Sequence, residues 1–191
     1  FHVPALKEEN PRHVTAAGPR ILRLDLARDE LAEALRCVEA VLHFAAQPGL
    51  SDSTSFDDYL QNNLTATARL LAAAQHPATV PRLLHISTSS IYGVEATGDE
   101  TTLPAPTSVY GVTKLAAEQL VLARHREGAL SACALRIFSV YGPRERPDKL
   151  YPRLIRAILD DREIPVYEGS EAHRRSFTFI ADVVRGTLAA L

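Results

Sequence analysis

Several residue types are scarce or absent in this chain of 191 residues. It contains no Met and no Trp, and only 9 Gly and 2 Cys. The cysteines, Cys37 and Cys133, stand far apart in no CxxC pair, which argues against a disulfide framework or a zinc site. We therefore expect buried, inert thiols in a cytoplasmic protein. Because the chain starts at Phe1 and lacks Met, we also expect a processed or truncated product.

An excess of one charge and long apolar runs are also missing. The formal net charge is −2, from 21 basic and 23 acidic residues, so the basic excess of a nucleic-acid-binding protein is absent. No apolar run approaches the ~20 residues that span a membrane. The 7 histidines show no HExxH or paired spacing, so no metal site is predicted. We expect a globular protein without nucleic-acid or membrane partners.

Short apolar runs alternate with longer segments of helical periodicity. Strands are predicted at residues 21–24, 40–45, 82–87, 131–138, 164–167 and 176–179. Helices are predicted at residues 31–38, 56–75, 109–126, 151–161 and after Asp182. This alternation predicts an α/β fold with a mostly parallel sheet and helices on both faces. Ligands bind at the carboxyl ends of the strands in such sheets, so the residues that follow each strand are the first candidates for a site.

Tyr110 and Lys114 form a candidate acid/base pair on the predicted helix 109–126. Their spacing of four places them on one helix face. A free tyrosine has a pKa of about 10, and a nearby ammonium favours the phenolate and lowers that pKa. Such a pair is suited to moving the proton of an alcohol.

Five motifs then occur along the chain. They are HFAAQ at 43–47, STSSIYG at 87–93, YGVTKLAAE at 110–118, LRIFSVYGPR at 135–144 and RSFTFIAD at 175–182. In these motifs and their order the chain resembles the extended short-chain dehydrogenase/reductase family, specifically its nucleotide-sugar epimerase/dehydratase branch. The resemblance runs from about Asp25 to the C-terminus.

The resemblance implies a Rossmann-like, doubly wound sheet. The family's Gly-x-x-Gly-x-x-Gly turn does not occur in this chain, and the predicted strand 21–24 resembles the family's third strand. We therefore expect the sheet to lack its first two strands. Residues 1–145 are predicted to form an incomplete NAD-binding domain. Residues 146–191 are predicted to form part of a substrate-binding lobe, with segments that return to the first domain.

The resemblance also implies a chemistry and a cofactor. Tyr110 matches the residue that accepts the proton of the sugar C4 hydroxyl. Lys114 matches the residue that lowers the tyrosine pKa and binds the nicotinamide ribose. Thr88 matches the Ser/Thr that hydrogen-bonds the C4 oxygen. NAD is the cofactor that family analogy favours over NADP.

Further residues match binding positions of the family. Asp25 matches the acidic residue at the adenine, and Arg175 matches an arginine that clamps the diphosphate, with Arg174 as its competitor. The predicted cofactor-binding residues are Asp25, Leu26, Phe44, Ala45, Ala46, Asn63, Ser87, Tyr110 and Lys114. The predicted substrate-binding residues are Ser89, Ser139, Arg144 and Arg175.

Ser89 and Ser90 favour one reaction within the family. The family's dehydratases carry Asp-Glu directly after the catalytic Thr, because elimination of water needs a further acid and base, and its UDP-glucuronate decarboxylases carry a Glu two positions after the Thr. Oxidation and re-reduction at C4 needs none, so we predict a 4-epimerase acting on a UDP- or dTDP-sugar, as a homodimer. Two alternatives stay open. One is a dehydratase, decarboxylase or ketoreductase of the same family, and the other is a non-catalytic nucleotide-binding protein or fragment that lacks the glycine-rich turn.

Overall fold

A computed structural model of the chain describes residues 18–49, 54–75, 80–172 and 174–191. Within these ranges, three strands form a parallel sheet in the order β1-β2-β3. They are β1 (Ala40–His43), β2 (Arg82–Thr88) and β3 (Ala132–Ile137). The first register pairs His43 with His85, and the second pairs Thr88 with Ile137. The predicted parallel α/β architecture is confirmed.

Helices connect these strands. They are α1 (Ala32–Leu35), α2 (Phe56–Tyr59), α3 (Ala66–Ala74), α4 (Val109–Arg126), α5 (Leu150–Leu159) and α6 (Ile180–Ala189). A π-helical segment (Leu60–Thr65) joins α2 to α3, and a 3₁₀ turn (Ser89–Tyr92) follows β2. A second parallel pair consists of β4 (Ser139–Tyr141) and β5 (Phe177–Phe179). The predicted helix 109–126 is confirmed at both ends.

Local signals explain where the helices begin and end. Ser55 and Asp58 form a capping box at the start of α2, in which each side chain accepts a hydrogen bond from the other's backbone N–H. The Ser108 hydroxyl accepts from the Gly111 N–H at 3.1 Å and so caps α4. After the last turn of α4, Gly128 adopts a φ of +73°, which a residue without a Cβ adopts at little cost.

The core lies between the sheet and helices α3 and α4. Leu71 of α3, Leu83 of β2, Val121 of α4 and Leu130 are all buried and pack together. Because side chains alternate along a strand, His85 and Ser87 lie on the same face of β2 as Leu83.

Two predicted strands are wrong. Residues 21–24 and 164–167 form no strand. A strand requires a hydrogen-bonded neighbour, and in the described ranges β1 pairs only with β2. Val166 and Tyr167 are 75% and 80% exposed, so the second segment has no buried face to hold it in a sheet. Conversely, β4 forms in a segment predicted as loop, because β5 lies beside it.

The expectation of buried thiols is also wrong. Cys37 and Cys133 are both exposed. Cys133 alternates with Ala132, which packs against the core, and so faces the other side of β3. Cys37 lies after α1 with a φ of +64°, outside the packed elements.

Arg136 on β3 connects three parts of the molecule beside the 3₁₀ turn. Its guanidinium binds both carboxylate oxygens of Glu118 on α4, with the shortest distance 2.8 Å. It also donates to the Tyr92 hydroxyl at 2.8 Å and to the Glu100 carbonyl at 2.9 Å. The Glu118 side chain is fully buried, so this ion pair is shielded from solvent on one side. Arg136 thereby ties the turn after β2 and the loop 94–107 to the helix.

We predict that Glu118→Gln lowers the free energy of unfolding by about 3 kcal/mol, because it removes the charge that balances a largely buried guanidinium. Urea unfolding at pH 7 measures the change. The control is Glu127→Gln, which breaks the exposed pair of Arg124 and Glu127 and should cost less than about 0.5 kcal/mol. Equal losses in the two variants would contradict the structural role given to Arg136.

Candidate active site

The carboxyl ends of the three paired strands meet at one edge of the sheet. Because β1, β2 and β3 are parallel, the segments 44–49, 89–93 and 138–144 leave from this same edge. Each of these segments carries a predicted site residue. The edge is therefore the place where the predicted residues meet.

Tyr110 and Lys114 lie in the first turns of α4, directly above this edge. Lys114 is 4% exposed and donates from Nζ to the Ile86 carbonyl of β2 at 2.5 Å. That bond uses one of the three ammonium donors. Desolvation lowers the pKa of Lys114 to about 8, although the nearby Glu118 carboxylate opposes the shift. The amine is thus brought toward the range in which it can exchange protons near neutral pH.

Burial also dominates the ionisation of Tyr110. Desolvation raises the pKa of the phenol, and a side-chain hydrogen bond with Thr88 opposes this. The sequence led us to expect a pKa lowered by Lys114, and for the chain by itself this is wrong, because desolvation of the phenolate is the largest influence and Lys114 is not among the groups that shift this pKa. The influence of Thr88 nevertheless shows that its side chain lies near that of Tyr110, although the two residues are 22 positions apart in the sequence.

Gly111 allows α4 to approach the turn after β2. A Cβ at this position would lie 2.6 Å from the Ser90 carbonyl oxygen and 3.0 Å from Pro106. Thr88 stabilises the turn that Gly111 contacts, because its Oγ1 accepts a hydrogen bond from the Ser90 N–H at 3.2 Å. The absence of a side chain at Gly111 therefore permits the approach of Tyr110 to Thr88.

Gly49 lies directly against the ring of Tyr110. A Cβ at Gly49 would lie 2.6 to 2.7 Å from three atoms at the base of the tyrosine side chain. Tyr59 packs nearby, with its ring centroid 6.4 Å from that of Tyr110. The segment that follows β1 thus confines the tyrosine side chain, a contact that sequence reasoning missed because the Pro-Gly pair was interpreted only as the end of a strand.

Asn63 connects this segment to α4. Its Oδ1 accepts from the Gln47 N–H at 2.7 Å, and its Nδ2 donates to the Gln47 carbonyl at 3.3 Å and to Thr113 Oγ1 at 3.1 Å. Thr113 in turn donates to the Tyr110 carbonyl at 3.1 Å. Asn63 is 1% exposed and lies in the π-helical segment, an irregularity common at functional sites. It contacts the loop and the helix, and Thr113 is a further supporting residue that the motif did not single out.

Two histidines lie under the helices beside Lys114. His43 Nε2 lies 2.9 Å from Thr67 Oγ1, whereas both ring nitrogens of His85 lack a partner among the described residues. Desolvation, aided by the charge of Lys114, lowers the pKa of His43 to about 4 and that of His85 to about 2. Both rings are therefore neutral near pH 7. The Ser87 hydroxyl on the same face is also buried without a described partner.

A cavity of about 360 Å³ combines two groups of predicted cofactor-binding residues. Its lining residues are Leu24, Asp25, Leu26, Ala27, Ala45, Ala46, Gln47, Asn62 and Ala66. The segment before α1 supplies one wall, and the segment after β1 supplies the other. Phe44 does not line this cavity and is 54% exposed.

A polar cavity of about 300 Å³ combines most of the predicted substrate-binding residues. It is lined by Ser89, Ser90, Gly93, Val94, Ala96, Thr107, Ser108, Phe138, Ser139, Arg174, Arg175 and Ser176. Both Arg174 and Arg175 line it, so the competition between them is not decided by position. Arg144 is not among the lining residues and adopts a φ of +66° after β4. A larger cavity of about 660 Å³ beside β3 and α6 contains none of the predicted site residues.

The described ranges contain no group of three or more His, Cys, Asp or Glu side chains that could hold a metal ion. In the same ranges, no helix combines the length and the apolar character that crossing a bilayer requires.

A parallel sheet with polar side chains at its carboxyl edge is typical of nucleotide-binding α/β proteins. The model of one such family, described as the NAD dependent epimerase/dehydratase family, matches residues 2–191. The chain belongs to this family, which confirms the resemblance found in the motifs. The cofactor of the family is NAD.

Among curated relatives, the uncharacterized UDP-glucose epimerase YtcB of Bacillus subtilis is 37% identical over 174 residues, which cover 89% of this chain and 54% of the relative. UDP-glucuronate 4-epimerase 1 of Arabidopsis thaliana is 31% identical over 202 residues, which cover 100% of this chain and 47% of the relative. The chain thus spans about half the length of these relatives.

A solved structure with a closely similar fold is that of a mutant UDP-glucuronic acid 4-epimerase from Bacillus cereus, in complex with UDP-4-deoxy-4-fluoro-glucuronic acid and NAD. It matches with a TM-score of 0.88 at 38% identity, over 97% of this chain and 60% of the other. The Rossmann-like fold predicted from the motifs is therefore confirmed.

We predict that Gly49→Ala destabilises the protein by about 2 kcal/mol, because the added methyl group must displace the Tyr110 ring or the segment itself. Gly186→Ala on α6 is the matched control. A Cβ at Gly186 meets nothing within 4 Å, so alanine should raise the stability by about 0.5 kcal/mol through its helix propensity. Urea unfolding curves of the two variants should therefore shift in opposite directions. A shift in the same direction would contradict the contact between Gly49 and Tyr110.

We also predict that His85 makes the fold sensitive to acid. In the unfolded chain this ring takes up a proton near pH 6.5, whereas in the folded chain it does so only near pH 2. Between these values the unfolded state binds more protons, so stability falls as the pH is lowered. His85→Leu should remove about 1 kcal/mol per pH unit from this slope below pH 6. Unfolding of the unsubstituted protein and of His85→Leu, measured from pH 7 to pH 4, tests this, and equal slopes would contradict it.

Proposed function

We propose that this chain carries the catalytic residues of an NAD-dependent nucleotide-sugar 4-epimerase. The observation that carries the proposal is the meeting of Thr88, Tyr110 and Lys114 at the carboxyl edge of β2. The Thr88 side chain lies close enough to Tyr110 to oppose the rise of its pKa, and Lys114 donates a hydrogen bond to the β2 backbone. Epimerase relatives such as that of Arabidopsis thaliana support the reaction class.

Tyr110 acts as the general base and acid of the proposed reaction. As the phenolate it takes the proton of the C4 hydroxyl, and as the phenol so formed it later returns a proton to the same oxygen. Thr88 holds that oxygen by a hydrogen bond, and Lys114 stabilises the phenolate by its charge. When bound, NAD supplies the oxidation at C4 and the re-reduction from the opposite face of the sugar.

The residues of the chain fit NAD at two places. The 360 Å³ cavity offers the Asp25 carboxylate and the Leu26 backbone opposite Ala45 and Ala46, whose small side chains leave room for a planar ring. The buried, unpartnered hydroxyl of Ser87 and the remaining donors of Lys114 would face the nicotinamide half. Phe44 lies in the same segment as Ala45 and Ala46. Asn63, in the π-helical segment before α3, supports this segment by binding Gln47.

The polar cavity is the proposed site for the sugar nucleotide. Its Ser89 and Ser139 hydroxyls can hydrogen-bond the sugar, and the guanidinium of Arg175 or Arg174 suits a diphosphate. Arg144 is proposed to reach phosphate from the loop after β4. The Bacillus cereus structure with its UDP-sugar supports a UDP-sugar as the substrate, although a dTDP-sugar has the same diphosphate chemistry.

The side chains that follow Thr88 at the carboxyl edge of the sheet favour epimerisation over elimination. Ser89 and Ser90 follow Thr88 and line the polar cavity without a carboxylate. Loss of water or CO₂ from the sugar needs further acid and base groups, whereas the reversal of configuration at C4 needs only the Tyr110 proton transfer besides the hydride transfer that bound NAD would supply. A dehydratase, decarboxylase or ketoreductase of the same family is the second candidate.

We propose that residues 1–145 bind NAD and that residues 146–191 form part of the substrate lobe.

We also propose that the protein forms a homodimer, because α2 and α4 expose apolar side chains, among them Phe56 (57%), Val109 (44%) and Val112 (49%). We place it in the cytoplasm because both cysteines are free.

We predict that Tyr110→Phe reduces turnover by about 1000-fold, because no other group takes the C4 proton. The full chain is incubated with NAD and either UDP-glucuronate or UDP-glucose, and NMR follows the configuration at C4. Tyr167→Phe, whose ring is 80% exposed, is the control and should retain full activity.

Products that have lost water or CO₂, or net consumption of NADH, would select the second candidate. Retention of turnover in Tyr110→Phe would overturn the assigned base. Unfolding curves of the two variants should coincide with that of the unsubstituted protein, which separates a chemical effect from a folding defect.

A further inference from the structure

The segment 25–29, which forms one wall of the 360 Å³ cavity, is folded by its own hydrogen bonds. Asp25 Oδ1 accepts from the Ala27 N–H at 2.9 Å, and Asp29 Oδ2 accepts from the Asp25 N–H at 2.7 Å. The Arg28 and Asp29 amides donate to the Asp25 carbonyl at 3.0 and 2.8 Å. These contacts determine the shape of the turn. They do not determine where the turn stands relative to the rest of the molecule.

Arg69 on α3 determines that position. Its Nη2 donates to the Asp29 carbonyl at 2.7 Å and to the Arg28 carbonyl at 3.3 Å. Both bonds are charge-assisted, and two bonds from one group restrict orientation as well as distance. The Arg69 Nε is buried and has no partner among the described residues. A second link joins the Arg28 guanidinium to Gln61, at 2.8 and 3.0 Å when the amide oxygen faces it.

These links matter because no strand of the described ranges pairs with the segment. The described sheet has β1 at its edge, and residues 21–24 form no ladder with it. One wall of the cavity, with Asp25 and Leu26, therefore depends on side chains of the helix for its place opposite Ala45 and Ala46. Leu31, which is 4% exposed, adds apolar packing where α1 meets α3.

We propose that Arg69 is a positioning residue for the adenine half of the cofactor, because it sets the distance between the two walls of this cavity. The inference rests on the proposed assignment of NAD to the site. It predicts that affinity for an adenine dinucleotide depends on a side chain that does not line the cavity. Lysine at this position keeps the charge but lacks the planar guanidinium that directs Nη2 toward both carbonyls, so it should restore only part of the effect.

The test uses Arg69→Ala and Arg69→Lys in the full chain. We expect Arg69→Ala to raise the Kd for NAD, measured by calorimetry, at least tenfold, and Arg69→Lys to raise it about threefold. Hydrogen exchange of the amides of residues 25–29 should accelerate in the same order. The KM for the UDP-sugar, which uses the other cavity, should change less than twofold. Arg124→Ala, which removes an exposed helix arginine, is the control and should match the unsubstituted protein.

The outcomes separate this inference from the proposed function. If the unsubstituted chain binds no NAD, both fail. If it binds NAD and Arg69→Ala binds it equally well, only the role of Arg69 fails. A parallel loss of NAD affinity, sugar KM and thermal stability would show a general structural role, which would also overturn the inference, as would unchanged exchange at residues 25–29.

Discussion

The parallel pairing of β2 with a strand on each side is the constraint on which the rest of this structure depends. It directs three separate segments to the same edge of the sheet, and the predicted catalytic residues lie at the end of β2 or on the helix above. Under the helices β2 carries the buried residues Leu83, His85 and Ser87, and it ends at Thr88.

Burial at this edge disfavours the charged forms of the ionisable side chains that the proposed reaction uses. Lys114 is nearly enclosed, and its pKa falls to about 8 as a result. Burial raises the pKa of Tyr110, so in the chain alone the phenol is strongly favoured over the phenolate. The proposed reaction therefore requires that the bound substrate and the charge of Lys114 stabilise the phenolate. His43 and His85 stay neutral beside the ammonium, which avoids three positive charges in one buried space.

Supporting contacts at the edge come from residues that take no part in the proposed proton transfer. Asn63 fixes Gln47 from two sides and reaches α4 through Thr113. Gly49 and Gly111 contribute by having no side chain, since each allows a backbone to approach closely. Arg136 holds the turn after β2 against α4. Such residues explain how Thr88 and Tyr110, which are separated along the chain, come to lie near each other.

The sequence by itself determined the alternation of strands and helices, the bounds of α4, the family and the residues at the edge. Periodicity and capping are local, so residues such as Ser55 and Ser108 report them directly, and the motifs carry the resemblance. Only the tertiary structure decided that residues 21–24 form no strand, that β4 forms beside β5, and that both cysteines are exposed. It also decided that burial raises the Tyr110 pKa and that Arg69 reaches the segment 25–29. Pairing, desolvation and long-range contacts depend on neighbours that are distant in sequence, and no local pattern records them.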